Sequence, residues 1–481
     1  MNIIGRKDEI SELKRLYYSK MPQFLAVYGR RRVGKTFLID EALKGKITFR
    51  HSGLSPVDAQ NHSNSLKEQL KHFYHSLQRQ GMKKSKCPSS WLEAFFMLEM
   101  HLQSIDDGSR QVVFLDELPW MDTPRSGFVT ALEALWNGWG CHRDNFMLVV
   151  CGSATSWIID NLINNHGGLY GRLTNQLRLS PFTLNECEQF FHSRGVRMSR
   201  YDIVQSYMIF GGVPYYLNYF EPGKSLAQNV DNLFFKKNAI LSDEFDRLFS
   251  SVFSRPEEMM QIVKTIGGRR AGYTQEELAE ATGLPWGGSF STMLKALVAS
   301  DFIEQYVPFG KGKREKRYKL VDHFCLFYLK FVQGRKEIDP DFWMHNVTSQ
   351  SVSSWRGFAF EEVCFTHIAQ IKKALDILGV SSTQSGWMLK GDSETEGAQI
   401  DMLIDRKDNV VNLCEMKFYN EKFTVNKSYY SKVVHRQNLL AEMLPRKTVV
   451  HNVLITTEGL TYNEYSGVFQ KVVTADDLFE K

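Results

Sequence analysis

Three short and nearly continuous apolar runs stand out in the first third of the chain. They are FLAVY at Phe24–Tyr28, VVFL at Val112–Leu115, and MLVVC, which ends at Cys151. Each run is bounded by turn-forming or charged residues, and its length is that of a strand buried on both faces. The pattern therefore predicts an α/β domain in the first third, built on buried strands of a parallel sheet.

The first of these runs leads into a glycine-rich segment. Gly29-Arg-Arg-Arg-Val-Gly34-Lys35-Thr36 fits G-x-x-x-x-G-K-[ST], and the helical pattern TFLIDEAL follows. Strand, glycine loop and helix are the context in which backbone N–H groups can surround phosphate oxygens. Lys35 would reach the β- and γ-phosphates of ATP, and the Thr36 hydroxyl would bind Mg²⁺. The segment predicts an ATP site that includes Gly29 and Gly34.

The other two runs end in polar residues suited to the same site. Asp116 and Glu117 follow the second run, and Ser153 follows the third. We expect Asp116 to contribute to the Mg²⁺ site and Glu117 to polarise the attacking water. Ser153 could bond to the γ-phosphate or the water, or it could simply cap a helix.

Two later positions could also contact the nucleotide. Arg172 lies in the glycine-rich stretch GGLYGRL, where an arginine could reach the γ-phosphate in the same chain or in a neighbouring copy. It could equally be a surface charge. Pro214, in FGGVPYYL, could pack against adenine or simply end a helix.

Together these motifs resemble a known group of proteins. The order IIGR, YGRRRVGKT, FLDELPW, CGSA, GLYGRL and GGVPYYL is similar to archaeal-type ATPases of the STAND class, which are P-loop NTPases related to AAA+ proteins. The resemblance implies a RecA-like parallel sheet with a helical lid, over about the first 250 residues. It also implies that Arg172 is an arginine finger, which a homo-oligomer could supply in trans, and that Pro214 belongs to a nucleotide-sensing turn.

The pattern changes from about Pro256. A capping box at Thr274 and Glu277 begins a short helix, a second amphipathic helix follows, and a hairpin pattern ends the segment. This order predicts a winged helix. The hairpin carries six basic residues in the nine positions Lys311–Lys319, so we expect contact with DNA phosphates through this basic wing. The alternative is a structural spacer with a solvated charged loop.

Near the end of the chain the apolar period becomes two, in QIDMLIDRKDNVVNLCEMKFY. Two strands joined by RKDN are predicted, and Val411, Leu413, Glu415 and Lys417 would share one face of the second strand. Together with Asp401 on the first strand, the two carboxylates could bind Mg²⁺ while the lysine acts on water. From spacing alone, an ion pair in an ordinary hairpin is an equal alternative.

A second resemblance concerns this hairpin. A helix with Glu361, then QIDMLID, CEMKF and another helix is similar to the PD-(D/E)XK nuclease fold, close to archaeal Holliday-junction resolvases, over roughly residues 350 to 460. The resemblance implies that Glu361 is the acid on the helix, that Asp401 and Glu415 bind Mg²⁺ or Mn²⁺, and that Lys417 is catalytic. Ile400 stands where the fold's name has proline.

Composition limits the classes of protein to which this chain could belong. The chain has 481 residues, 43% hydrophobic and 23% charged, with a formal net charge of +5. The N-terminus lacks an apolar signal segment and no long apolar run predicts a membrane span. Seven cysteines without a C-x-x-C pair favour a reducing cytoplasm.

The length suggests several domains. We predict an α/β protein with a P-loop ATPase core at 1–183, a helical lid at 184–255, a winged helix at 256–335 and an α/β restriction-endonuclease-like domain at 336–481. The predicted function is an ATP-binding and ATP-hydrolysing switch coupled to a DNA-binding, Mg²⁺-dependent deoxyribonuclease domain. The alternatives are a regulatory STAND-type ATPase whose C-terminal domain binds partners without cleavage, and an AAA+ remodeller of proteins.

Overall fold

The computed structural model of the protein describes residues 3–55, 65–335, 339–389 and 398–480. Contacts within the chain define two compact units. Unit 1 comprises Met1–Pro181, Leu248–Pro256 and Thr292–Asp301, and unit 2 comprises Phe182–Arg247, Glu257–Ser291 and Phe302–Lys481. The four-domain division therefore stays a prediction, since the two units follow a different grouping.

The centre of unit 1 is a parallel sheet. Its strands are β1 (Gln23–Tyr28), β2 (Ile47–Ser52), β3 (Gln111–Asp116), β4 (Phe146–Gly152) and β5 (Asn175–Arg178). They lie in the order β2-β3-β4-β1-β5, and every neighbouring pair is parallel. The predicted parallel α/β sheet is therefore confirmed, and β4 separates the two strands that carry the predicted ATP-site motifs.

Both faces of this sheet are covered. Phe24 and Ala26 of β1 belong to one buried apolar cluster, whereas Leu25 and Val27 belong to another. Alternate residues of a strand point to opposite faces, so a strand covered on both sides is apolar throughout. The helices before residue 181 are α1 (Lys7–Tyr17), α2 (Lys35–Ala42), α3 (Leu66–Arg79), α4 (Trp91–Ser104), α5 (Leu118–Met121), α6 (Phe128–Gly138) and α7 (Thr155–Ile158).

The chain after residue 181 begins with a helical region and remains rich in helices. These are α8 (Leu184–Ser193), α9 (Arg200–Phe210), α10 (Pro214–Leu217), α11 (Leu226–Phe234), α12 (Glu244–Ser250), α13 (Pro256–Gly267), α14 (Gln275–Thr282), α15 (Gly288–Ala299), α16 (His323–Phe331), α17 (Phe342–Asn346), α18 (Gln350–Thr366), α19 (Ile368–Ala374), α20 (Lys427–Met443) and α21 (Ala475–Leu478). Of these, α12, α13 and α15 cross a boundary between the ranges of the two units. No helix in the described ranges is long and apolar enough to span a membrane.

The middle of the chain has the predicted order of elements. Helix α14 begins with the capping box of Thr274 and Glu277, and α15 is followed by the antiparallel strands β6 (Ile303–Tyr306) and β7 (Arg317–Leu320). The basic segment forms the connection between these strands and continues into β7. The order of elements fits the winged-helix prediction without establishing a winged helix.

A second sheet lies near the C-terminus, in unit 2. Its strands are β8 (Ser382–Leu389), β9 (Ala398–Arg406), β10 (Val410–Lys417), β12 (Val449–Thr456) and β14 (Lys471–Val473). They lie in the order β14-β12-β10-β9-β8, with β10 antiparallel to β9 and parallel to β12. The short strands β11 (Phe423–Thr424) and β13 (Leu460–Thr461) form a separate pair. The predicted hairpin is therefore β9 and β10, and it contributes the central strand of the sheet.

The structure differs from the sequence pattern at two places in this region. Strand β10 is buried on both faces from Val411 to Met416, although we expected a single apolar face, because it lies between two strands and packs against α18. The helix predicted to carry Glu361 is α18, which ends at Thr366 before His367, whose buried ring accepts a hydrogen bond from the backbone N–H of Leu184 (3.0 Å). An alternating or helical period does not reveal such tertiary contacts.

Candidate functional site

The glycine loop of unit 1 has the backbone that its sequence predicted. Gly29 has φ 139° and Gly34 has φ 90°, both in the region that favours glycine. A Cβ at Gly29 would lie 2.2 Å from the backbone oxygen of Leu179, so a larger residue would displace the backbone at Leu179. The loop connects the end of β1 to the start of α2, where backbone N–H groups of the first helical turn can donate hydrogen bonds to an anion.

Lys35 is directed back into this loop. Its Nζ donates hydrogen bonds to the backbone oxygens of Gly29 (2.8 Å) and Arg30 (3.0 Å), and the side chain is 5% exposed. Burial lowers the pKa of Lys35, while neighbouring Cys151 and Glu117 act in the opposite direction. The lysine is thus positioned at the loop that would hold the phosphates, bonded to carbonyls that a phosphate could replace.

The predicted Mg²⁺ residues are in direct contact. The Thr36 hydroxyl donates to Asp116 Oδ2 (2.9 Å), although the two residues are on different elements, α2 and the end of β3. The backbone N–H of Glu117 donates to the other carboxylate oxygen of Asp116 (3.0 Å). A hydroxyl and a carboxylate at this position supply oxygen atoms of the kind that Mg²⁺ prefers.

Glu117 and Ser153 form a pair across neighbouring strand ends. The Ser153 hydroxyl donates to Glu117 Oε1 (3.0 Å) and its backbone N–H donates to Oε2 (3.1 Å). Glu117 has a left-handed backbone with φ 45°, which is uncommon for a residue with a side chain. Ala154 is the residue that precedes α7, so the hydroxyl of Ser153 serves Glu117 and the helix-capping alternative is not supported.

The remaining two nucleotide candidates are Arg172 and Pro214. Arg172 is exposed in unit 1, and its backbone N–H bonds to Leu169 (3.1 Å). Pro214 begins α10 in unit 2, after Gly211 and Gly212, both of which have positive φ. The preceding helix ends at Phe210, so Pro214 begins a helix and does not end one. Contact of Arg172 or Pro214 with a nucleotide stays a prediction.

The second group of candidates meets at the C-terminal sheet. In the register of β9 and β10, Cys414 pairs with Met402, so the next pair in that register is Glu415 with Asp401. Lys417 Nζ lies 3.8 Å from Asp401 Oδ2 and 3.7 Å from Glu415 Oε2. We refer to Asp401, Glu415 and Lys417 as the carboxylate–lysine site. The structure thus brings together the three residues that the sequence singled out.

Burial sets the electrostatics of this site. Glu415 is 1% exposed on the central strand β10. Burial raises the pKa of Asp401, while Lys417 and a backbone hydrogen bond from the N–H of Met416 (3.0 Å) act in the opposite direction. Two carboxylates so removed from water require cations or donors beside them.

Sequence reasoning missed the residues that supply this compensation. Arg436 donates to Glu415 Oε1 (2.6 Å), and the Tyr429 hydroxyl donates to Glu415 Oε2 (2.7 Å). Both lie on α20 and are seven residues apart, which places them on one face two turns apart. The seven-residue spacing of Tyr429 and Arg436 in a helical segment was the feature of the sequence that could have identified them.

The helix acid Glu361 also has a partner. It forms a short ion pair with Arg270, whose guanidinium lies 4.1 Å from the centre of the Phe358 ring. The adjacent Glu362 pairs with Lys319 of β7 (3.2 Å). Arg270 and Lys319 come from the part of the chain predicted to be a winged helix, so that part contacts α18 within unit 2.

A cavity of about 630 Å³ joins these residues. The carboxylate–lysine site, Glu361, Arg270 and Arg436 all line it. Within the ranges that the structure describes, there is no group of three or more histidine, cysteine or acidic residues arranged to hold a metal ion. The two carboxylates beside Lys417 are Asp401 and Glu415, and their binding of a cation stays a prediction. Mg²⁺ is commonly bound by one or two carboxylates and retains several waters.

Comparison with known proteins gives three kinds of similarity. Residues 3–220 match a family described as an ATPase domain predominantly from Archaea. An uncharacterized protein of Methanocaldococcus jannaschii is 23% identical over 375 residues, which is 77% of this chain and 78% of that protein.

Among solved structures, a Walker-type ATPase of Pyrococcus abyssi is similar, with 14% sequence identity, coverage of 68% of this chain and 96% of that chain, and a TM-score of 0.45. The ORC2 protein of Aeropyrum pernix in ADPNP–ADP complexes is also similar, with 14% identity, coverage of 73% of this chain and 96% of that chain, and a TM-score of 0.41. At such scores the structural likenesses carry no conclusion about function. The family match agrees with the glycine loop, Lys35 and the Thr36–Asp116 contact described above. The N-terminal part of the chain is therefore an archaeal-type P-loop ATPase domain.

Proposed function

We propose that the protein is an ATP-binding and ATP-hydrolysing switch of the STAND type, related to AAA+ proteins, whose C-terminal PD-(D/E)XK nuclease-like domain binds and cleaves DNA. The observation that carries the nuclease part is the carboxylate–lysine site. Lys417 Nζ lies within 3.8 Å of both Asp401 and Glu415, on the central strands of a sheet and beside a cavity that also contains Glu361.

The ATPase part follows from unit 1. Lys35 would exchange its bonds to Gly29 and Arg30 for bonds to the β- and γ-phosphates. Thr36 and Asp116 would hold Mg²⁺, because their oxygens already meet. Glu117 would orient the attacking water, after its carboxylate is released by Ser153. Arg172, being exposed, would act on the γ-phosphate in this chain or in a second copy.

In the C-terminal domain, Asp401 and Glu415 would hold Mg²⁺ or Mn²⁺. Such an ion polarises a phosphodiester and lowers the pKa of a bound water. Lys417 would orient that water and stabilise the hydroxide, since its ammonium group lies against both carboxylates. Glu361, on α18, would support the site from the neighbouring helix once Arg270 leaves it.

A specific observation favours the second candidate, a regulatory ATPase without nuclease activity. Both oxygens of Glu415 already accept hydrogen bonds, one from Arg436 and one from Tyr429. A carboxylate satisfied in this manner can belong to a permanent structural ion pair. The domain would then bind partners, and metal would not stabilise it.

Substitution of single carboxylates tests the two candidates. Asp401→Asn should abolish cleavage of plasmid DNA and also the rise in melting temperature that Mg²⁺ or Mn²⁺ gives. Asp405→Asn, at an exposed aspartate of the same strand, is the control and should change neither. Lys417→Met should abolish cleavage and keep the metal-dependent shift, because lysine does not hold the ion, whereas Lys422→Met should keep both.

The opposite results identify the regulatory ATPase. If wild type cleaves no linear, branched or single-stranded DNA with either metal, and metal leaves its melting temperature unchanged, the nuclease proposal is wrong. In that case Lys417→Met should itself lower the melting temperature, since it removes the cation from the buried Glu415 and the half-buried Asp401.

A further inference from the structure

The cavity beside the carboxylate–lysine site carries more positive than negative side chains. Three carboxylates line it, and so do four cationic groups, namely Arg270, Arg356, Lys417 and Arg436. Its volume of about 630 Å³ lies within the range of about 300–1,000 Å³ that is typical of ligand sites. A bound divalent cation would increase the excess of positive charge, so the cavity as a whole suits an anion.

Three of the four cationic groups are already paired. Lys417 lies between Asp401 and Glu415, and Arg436 bonds to Glu415. Arg270 pairs with Glu361. Each of these cations compensates a carboxylate in the wall of the cavity, so none of them has its full charge available for a ligand.

Arg356 is the exception. Among the described residues it has no carboxylate within ion-pair distance, and its buried Nε has no hydrogen-bond partner. Burial lowers the pKa of Arg356, and the neighbouring Tyr201 and Asp202 act in the opposite direction. Arg356 is half-buried and lines the cavity without a counter-charge among the described residues, so an anionic ligand in the cavity would supply one.

Tyr201 lies next to Arg356 and connects it to the site. Its ring stacks on that of Phe418, with ring centres 4.7 Å apart and planes at 14°. Phe418 directly follows Lys417 in the chain, and both Tyr201 and Phe418 line the same cavity. The Tyr201 hydroxyl donates no hydrogen bond to any residue that the structure describes. Tyr201 and Arg356 thus both line the cavity that the proposed catalytic lysine also lines.

We propose that Arg356 and Tyr201 form a phosphate-binding subsite that holds a phosphate of the nucleic-acid strand next to the one being cleaved. This inference rests on the proposed nuclease function. Arg356 would bind two oxygens of the phosphate through its planar donor groups, and Tyr201 would donate a third hydrogen bond. The strand would then be positioned so that the neighbouring phosphodiester lies at Asp401, Glu415 and Lys417.

Oligonucleotide binding in EDTA tests the subsite, because no cleavage occurs without metal. Arg356→Gln should weaken binding of a labelled mixed-sequence oligonucleotide about tenfold, the effect expected for a lost charge-assisted contact. Arg356→Lys should restore part of the affinity. Arg197→Gln, at an exposed arginine of unit 2 outside the cavity, is the matched control and should bind as wild type does. Tyr201→Phe should show a smaller loss.

The same variants distinguish a subsite for a nucleic-acid strand from a site for a free anion. Wild-type affinity in Arg356→Gln, or no binding by wild type, overturns the inference. Binding of inorganic phosphate that depends on Arg356 and displaces the oligonucleotide at equal concentration also overturns it, since the ligand would then be a free anion. If Arg356→Gln has the melting temperature of wild type, its weaker binding is not caused by unfolding.

Cleavage assays keep the two proposals distinguishable. If Arg356→Gln cleaves DNA with a raised KM and little change in kcat, both the subsite and the nuclease are supported. If wild type binds through Arg356 but cleaves nothing with Mg²⁺ or Mn²⁺, Arg356 binds a strand phosphate, but the nuclease proposal falls and the position of that phosphate next to a cleaved one falls with it. If wild type cleaves and Arg356→Gln binds and cleaves equally well, only the subsite is wrong.

Discussion

Individual residues at the ATP site behave as the local sequence predicts. The positive φ of Gly29 and Gly34 and the direction of Lys35 are properties of one short segment, so the motif alone was sufficient to predict them. The Glu117–Ser153 contact was not predictable in the same way, because it depends on β3 and β4 being neighbours in the sheet. Arg436 and Tyr429 were missed for a similar reason: their partner Glu415 is on another element.

Lys35 provides a prediction at this scale. Lys35→Ala removes the side-chain cation at the phosphates and should weaken ATP binding at least a hundredfold, as measured by titration calorimetry. Lys44→Ala, at an exposed lysine just beyond α2, is the control and should bind ATP normally. The free energy of unfolding of the Lys35 variant should not fall, because burial disfavours the charged form of Lys35 in the folded protein. ATP affinity equal to that of wild type would contradict the assignment of the glycine loop.

At the scale of elements, the sequence predicted the type of several strands and helices but not the elements that pack against them. The capping box placed the start of α14, because Thr274 and Glu277 act locally. The β9–β10 hairpin was found from its alternating period, but its central position in a sheet was not, since strand order is a tertiary property. The basic segment was found from composition, yet Arg317 and Lys319 are engaged in ion pairs with Glu277 and Glu362.

This pairing sharpens the prediction for the connection between β6 and β7. Arg314 and Lys316 are exposed, so they are the side chains available for phosphate contacts. Arg314→Gln with Lys316→Gln should weaken DNA binding equally for all sequences and reduce the slope of log affinity against log salt by up to about 0.9 for each lost contact. Arg317→Gln, the control, should leave the slope unchanged and lower the melting temperature instead. An unchanged slope in the double variant would show that the connection is a solvated loop.

On the scale of the whole molecule, one chain contains a P-loop ATPase domain and a sheet with a carboxylate–lysine site. The glycine loop predicted its own segment because that motif is contiguous, and the family match covers residues 3–220. The division into domains was less predictable. The two compact units are each assembled from three separate stretches of chain, and a boundary read along the sequence cannot express such a grouping.

A pair of variants tests whether ATP controls DNA cleavage. Glu117→Gln should bind ATP and fail to hydrolyse it, because the water loses its base while the Mg²⁺ ligands remain. Lys35→Ala should fail to bind. If ATP binding is the signal, the two variants should differ severalfold in cleavage of the same DNA with Mg²⁺ and ATP, whereas without ATP they should cleave alike. Equal cleavage under both conditions would separate the ATPase from the nuclease.

The contacts of Glu415 also control whether a metal ion can reach its carboxylate. Tyr429 and Arg436 lie on the same face of α20, so a small rotation of this one helix would free both carboxylate oxygens together. Before such a rotation, a metal ion must compete with the Tyr429 hydroxyl and the Arg436 guanidinium for Glu415. The free energy of displacing both groups weakens the apparent affinity of the site for the ion. If the carboxylate–lysine site is the metal-dependent nuclease centre proposed above, the position of α20 would set the Mg²⁺ concentration at which the site binds its ion.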